Sequence, residues 1–152
     1  MQVFRLSRKK YANELSGKGA GFSGNRWNTK GVEMIYCAES RALAMAEVMV
    51  HLPVYFLPKD FVMLEIRIPD SVKIKEVLPK ELPEMWNGFP HHPKTQWIGN
   101  QFIKTNEFVV LKVPSAVVQG DFNFLLNPFH SQFKKIKIIS QSPFIFDSRF
   151  FE

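Results

Sequence analysis

A chain of 152 residues has the length of a single domain, here residues 1–152, which suffices to bury about two-thirds of its unfolded surface without help from disulfides or metal. Its apolar fraction of 45%, with fifteen Phe, excludes a disordered segment, and its one cysteine, Cys37, excludes an internal disulfide and a cysteine-rich zinc site. The net charge of +6 favours anionic partners without choosing among nucleic acid, a dinucleotide and an acidic protein.

Residues 3–6 read as a short first strand. Residues 13–31 are rich in Gly, Ser and Asn and carry no hydrophobic period, so they read as a loop. A structureless loop of that length in a compact domain is more often functional than accidental. Residues 33–38 read as a second strand, and Ser40 as the N-cap of a helix that runs to about His51 and is ended by Pro53. Leu43, Ala46 and Val50 share a face of that helix, with Glu47 one step round.

Residues 61–68 alternate, with Val62, Leu64, Ile66 and Ile68 on one side and Met63, Glu65 and Arg67 on the other, the pattern of a half-buried strand. Residues 72–77 alternate in the same way and read as its neighbour. From Pro79 to Pro93, prolines, Gly88 and the pair His91-His92 make an irregular connection. Thr95 reads as the cap of a helix reaching about Lys104, although Gly99 counts against it. Residues 108–113 form a β-branched strand halted by Pro114, which puts Ser115 at a strand end, where side chains commonly line a cleft. Residues 123–127 read as an irregular turn, and 135–139 and 144–146 as closing strands. The sum is an α+β domain with a mixed, mainly antiparallel sheet and few helices.

The N-terminus lacks an apolar run followed by a small-residue cleavage site, and no stretch approaches the roughly 18 consecutive apolar residues of a membrane helix. The expectation is a cytoplasmic protein with no membrane contact. The basic residues are scattered, so no direct nucleic-acid contact is expected.

The chemistry gathers in the opening third. Arg26, flanked by glycines, suits phosphate, because its planar fork binds two oxygens at once. Tyr36, mid-strand, offers a face to a planar ring and a hydroxyl to a polar group. Glu47 stands in an otherwise apolar helical segment, where an unpaired buried carboxylate is costly unless it faces a cavity or a partner. Such a carboxylate stabilises positive charge developing on a ribose. Each has a plain structural alternative: a surface arginine, a buried core tyrosine, an exposed helix glutamate. His51 lies on the face of Glu47, where it could bond Glu47 or reach the site, and reads first as a satisfied core histidine; His91 and His92 read as polar surface. No His-Glu-x-x-His run, no P-loop and no dinucleotide fingerprint is present, and the glycines at 17, 19 and 21 precede no helix; metal catalysis is not expected.

In order along the chain run Glu14-Leu15-Ser16-Gly17-Lys18-Gly19-Ala20, Gly24-Asn25-Arg26-Trp27-Asn28-Thr29-Lys30-Gly31, Ile35-Tyr36-Cys37-Ala38-Glu39-Ser40-Arg41-Ala42-Leu43-Ala44 and Glu47. Val113-Pro114-Ser115, Asn123 to Pro128, His130 and Phe146-Asp147-Ser148-Arg149 continue the series. On these motifs the chain resembles RES-domain proteins over nearly its whole length. The resemblance implies an ADP-ribosyltransferase-like fold, the toxin role in a bacterial toxin–antitoxin pair, and action on NAD as a consumed substrate and not a cofactor. It also implies an Xre-like antitoxin that covers the active site. Carried over residue by residue, it assigns Arg26, Tyr36, Glu47 and Ser115 to catalysis, and Arg26, Tyr36, Asn28 and Arg5 to holding the dinucleotide. The acceptor is water, phosphate or a protein side chain. The rivals from other classes are a nucleic-acid module using Trp27, Trp86 and Trp97 as stacking platforms, and a silent partner of a DNA-binding regulator.

Overall fold

A computed structural model describes residues 1–53, 55 and 57–152. Among these, seven strands and three α-helices alternate as β1 (Gln2–Arg8), α1 (Lys18–Ser23), β2 (Ile35–Ala38), α2 (Arg41–Met49), β3 (Phe61–Arg67), β4 (Ile74–Glu76), α3 (Pro93–Thr105), β5 (Val110–Pro114), β6 (Phe122–Leu126) and β7 (Lys137–Phe144). The sheet order is β4-β5-β6-β2-β1-β3-β7, antiparallel throughout except for the parallel pair β4/β5. The expected α+β class and mainly antiparallel sheet are what the chain forms.

The sheet has a seam. β1 pairs with β3 along its whole length, from Gln2↔Arg67 to Arg8↔Phe61, and β2 with β6 from Ile35↔Leu126 to Ala38↔Asn123. Between β1 and β2, however, a single register pair, Phe4↔Ala38, joins the two half-sheets. One face of the sheet buries Val3, Ile35, Cys37, Leu64, Ile66, Phe124 and Leu126 together. The other carries two clusters: Leu6, Ala38, Met63 and Phe61 under α2, and Leu111, Val113 and Leu125 with Phe102 of α3 and Trp27. Removing the Val, Leu, Ile, Phe and Met side chains among these from water is worth roughly 1.5–3 kcal/mol each before the entropy of ordering them.

Several expectations need correcting. Residues 18–23 of the supposed loop form α1, where close packing outweighs poor propensity: a Cβ on Gly17 would lie 2.8 Å from the Met34 nitrogen, so only glycine fits. β3 is buried on both faces, because Met63 packs beneath α2 while Val62 and Leu64 face the opposite core. β4 is not its neighbour but pairs with β5 at the far edge. Residues 122–126 form β6, a central strand between β2 and β5. The two closing strands are one, β7, along β3. The helix α3 is capped by His92, whose Nδ1 accepts the Lys94 N–H at 3.0 Å, and Gly99 is required there: a Cβ would stand 1.6 Å from the Trp27 carbonyl oxygen.

Candidate functional site

The loop after α1 is folded by its own polar groups. Asn25 and Asn28 bridge each other, and the Asn25 Oδ1 accepts the Arg26 N–H at 2.8 Å. Helix α3 grips the same turn from outside, with Thr95 Oγ1 donating to the Arg26 carbonyl at 2.7 Å and Gln96 Nε2 to the Asn25 carbonyl at 3.1 Å. Arg26 is thus fixed at its backbone, and its Nη1 is fixed too, donating to the carbonyls of Trp86 at 2.9 Å and Gly88 at 3.0 Å. Burial disfavours its charge while Glu47 and Tyr36 support it, and an arginine remains cationic under that balance.

Tyr36, on β2, points its hydroxyl back into this turn, accepting the Trp27 N–H at 3.0 Å and donating to Asn28 Oδ1 at 2.7 Å. Burial pushes its phenol up, so it stays a neutral donor. Asn28 itself is fully buried, its Nδ2 donating to the carbonyls of Ala20 at 2.8 Å and Val32 at 2.9 Å. It stands behind Tyr36 as a scaffold and lines neither cavity described below. Arg5, on β1, donates from Nη1 to the Tyr36 carbonyl at 2.7 Å, a side-chain bond spanning the seam where the strand ladder stops.

Ser40 sets the phase of α2, since its side chain accepts the Leu43 N–H at 3.1 Å and starts the helix at Arg41. Leu43 and Ala44 then enter the core and Glu47 meets the cleft, whereas Val50, which caps the helix after its last turn, is 58% exposed. Ser115 follows β5 and is buried; its Oγ donates to Glu47 Oε1 at 3.0 Å and accepts the N–H groups of Val117 and Val118, both at 3.0 Å. Burial raises the Glu47 pKa; hydrogen bonds from Ser115 and Asn123, then the charges of His51 and Arg26, oppose the rise.

These groups meet around two adjoining cavities that share Asn25, Tyr36, Glu47, His51 and Asn123. The smaller, ≈ 350 Å³, opens at the seam and holds Arg5 among Leu6, Ala38 and Val48. The larger, ≈ 610 Å³, holds Arg26, Phe89 and His91, and both fall in the range of about 300–1,000 Å³ usual for small-molecule sites. Arg26, Tyr36 and Glu47, spread over three elements, therefore line one cavity, with Ser115 bonded to Glu47 behind it.

Three residues here stand otherwise than their first reading from sequence. Asn123, taken as turn geometry, is held on β6 facing Glu47; its signal was a lone polar residue inside the apolar run 122–126. His91, taken as polar surface, enters the larger cavity, and nothing in its local sequence announces it. His51 is an exposed residue lining both cavities and not a core histidine. Among the described residues no three of His, Cys, Asp and Glu gather to hold a metal ion.

The same architecture occurs in a solved chain from the M. tuberculosis MbcT-MbcA toxin-antitoxin complex, which superposes with a TM-score of 0.76 over 95% of this chain and 84% of that one, at 17% identity. That likeness defines the fold. The RES domain model matches residues 2–147, and the chain belongs to the RES domain family, as a toxin of that family. It is 37% identical over 140 residues to the "Prs ADP-ribosylating toxin" of Sphingobium sp. (strain YBL2), covering 91% of this chain and 87% of the relative. It is 34% identical to "Toxin Res" of Yersinia enterocolitica, covering 98% and 99%.

Proposed function

We propose that this toxin consumes NAD by cleaving the nicotinamide–ribose bond, depleting NAD and arresting growth. The observation that carries the reading is the convergence of Arg26, Tyr36 and Glu47 on one cavity of ≈ 610 Å³, a size usual for small-molecule sites. In this reading Arg26, already held through Nη1, offers Nε and Nη2 to the diphosphate. Tyr36, whose hydroxyl is occupied in the turn, packs the nicotinamide with its ring. The C1′–N bond breaks with its electron pair leaving on nicotinamide, and the Glu47 carboxylate faces the positive charge that develops on the ribose. Ser115 and Asn123 hold that carboxylate in its ionised form and in place. An acceptor then gives a lone pair to C1′ and loses a proton: water in a glycohydrolase, phosphate in a phosphorylase.

A third acceptor has its own support. The 37% identical relative is named "Prs ADP-ribosylating toxin", which favours transfer of ADP-ribose, and a protein side chain is then the alternative acceptor within the same bond cleavage. The fold-mate's presence in a toxin–antitoxin complex supports an antitoxin partner, which in this reading is Xre-like and covers the cleft.

The test is nicotinamide release from NAD by the purified chain, with and without phosphate, and with a lysate of target proteins and labelled NAD. Arg26→Ala and Glu47→Ala each lower release by about 10²–10³ if they remove charge complementarity from the transition state, while melting cooperatively. Equal turnover by Glu47→Ala ends the mechanism.

A further inference from the structure

The stretch between Pro83 and His92 is held over the larger cavity by Arg26 itself, through the carbonyls of Trp86 and Gly88. It brings two side chains to the mouth. Phe89 is 86% exposed yet lines the cavity, its ring edge-on to His91 with centroids 5.5 Å apart. A phenyl ring left so open at a cavity mouth, beside a guanidinium, has the make-up of a stacking platform for a base whose phosphates lie deeper.

His91 supplies the intermediate step. Its Nδ1 is buried without a hydrogen-bond partner among the described residues, which leaves Nε2 as the ring nitrogen for a ligand. Burial, and then the charges of Arg26 and His51, keep the imidazole neutral. A neutral imidazole beside Arg26 donates one N–H to a phosphate oxygen without adding a second fixed cation to the site. The smaller cavity has neither Phe89 nor His91, and the ring beside Arg5 there, Phe4, is half-buried and covered by the Arg41 guanidinium 4.4 Å from its centroid, so it offers no open face to a base.

This asymmetry gives the cleft a direction. Resting on the proposed NAD chemistry, we infer that the larger cavity is the adenosine–diphosphate subsite, with Phe89 stacking the adenine and His91 and Arg26 holding the diphosphate. The nicotinamide ribose then lies at the boundary shared by Tyr36 and Glu47, and the nicotinamide turns toward the seam.

The experiment compares kcat/KM for NAD with that for nicotinamide mononucleotide, which carries the scissile bond but no adenosine. The native chain prefers NAD, and in Phe89→Ala this preference falls about tenfold, the worth of one base–aromatic stack. Phe89→Trp keeps it. His91→Ala weakens ADP-ribose binding in calorimetry, and His91→Gln, which retains an N–H donor, restores part of it. A native chain that cleaves neither substrate overturns the proposed function. One that cleaves both, with the same preference in Phe89→Ala as in native protein, overturns this subsite alone. Because Phe89 is exposed, its replacement leaves the core intact, and a loss of preference is read from a folded protein.

Discussion

At the scale of single residues, Glu47 is set between two opposed influences. Burial raises its pKa above the ordinary glutamate value of about 4.3, and the Ser115 hydroxyl is the largest influence pulling it back. In the proposed reaction cleavage needs the carboxylate, so kcat/KM for NAD is expected to fall as pH drops through that raised value. Ser115→Ala moves the acid limb further upward, and a pH–rate profile with an unmoved limb would refute Ser115 as the group that holds Glu47 ionised. The same shift bears on stability. A folded-state pKa above the unfolded one favours the protonated acid, a contribution present in full below the unfolded value and lost as pH rises through the folded value. At neutral pH the ionised Glu47 therefore costs stability. Glu47→Gln melts higher than native protein at pH 7 in a thermal scan, and the advantage fades as the medium is acidified.

At the scale of elements, α3 positions the Arg26 turn more than it packs the core. Thr95, Gln96 and Gly99 all meet residues 25–28, and the glycine permits backbone contact with Trp27. Gly99→Ala forces helix and turn apart; an overpacked contact of this kind costs about 1–3 kcal/mol, and urea unfolding should show that loss together with reduced NAD turnover. This dependence explains what could be read in advance. β1, β2, β3, β5 and the Ser40 cap follow from local pattern and cap chemistry, whereas the grouping of Arg26, Tyr36 and Glu47 in one site came from the resemblance to RES-domain proteins. α1 and the value of Gly99 follow from neither, because a glycine required by a neighbour's backbone looks the same in sequence as one that merely bends the chain. β6 was hidden because Asn123 and Asn127 carry turn chemistry in isolation, while here Asn127 is buried and donates to Asn106 Oδ1 at 2.9 Å. His91 and Phe89 were hidden because their placement comes from Arg26 holding a distant loop.

At the scale of the whole molecule, the chain is two half-sheets meeting at one register pair, with the cleft along the line where they part. Neither half is a separate unit, since both faces are sealed by shared apolar layers that run past the junction. The net charge of +6 suits anionic ligands generally, and within the cleft one guanidinium lines each cavity, Arg5 the smaller and Arg26 the larger. No helix among the described residues is long and apolar enough to cross a membrane. The single rung at the junction also leaves main-chain amides of β1 and β2 without a partner strand on that side, in a protein whose other central strands are paired on both. In deuterated solvent these few amides should take up label early while those of β3 and β6 resist, and a bound nucleotide should slow them selectively, so the isotope clock of one short stretch reports occupancy before any product is counted.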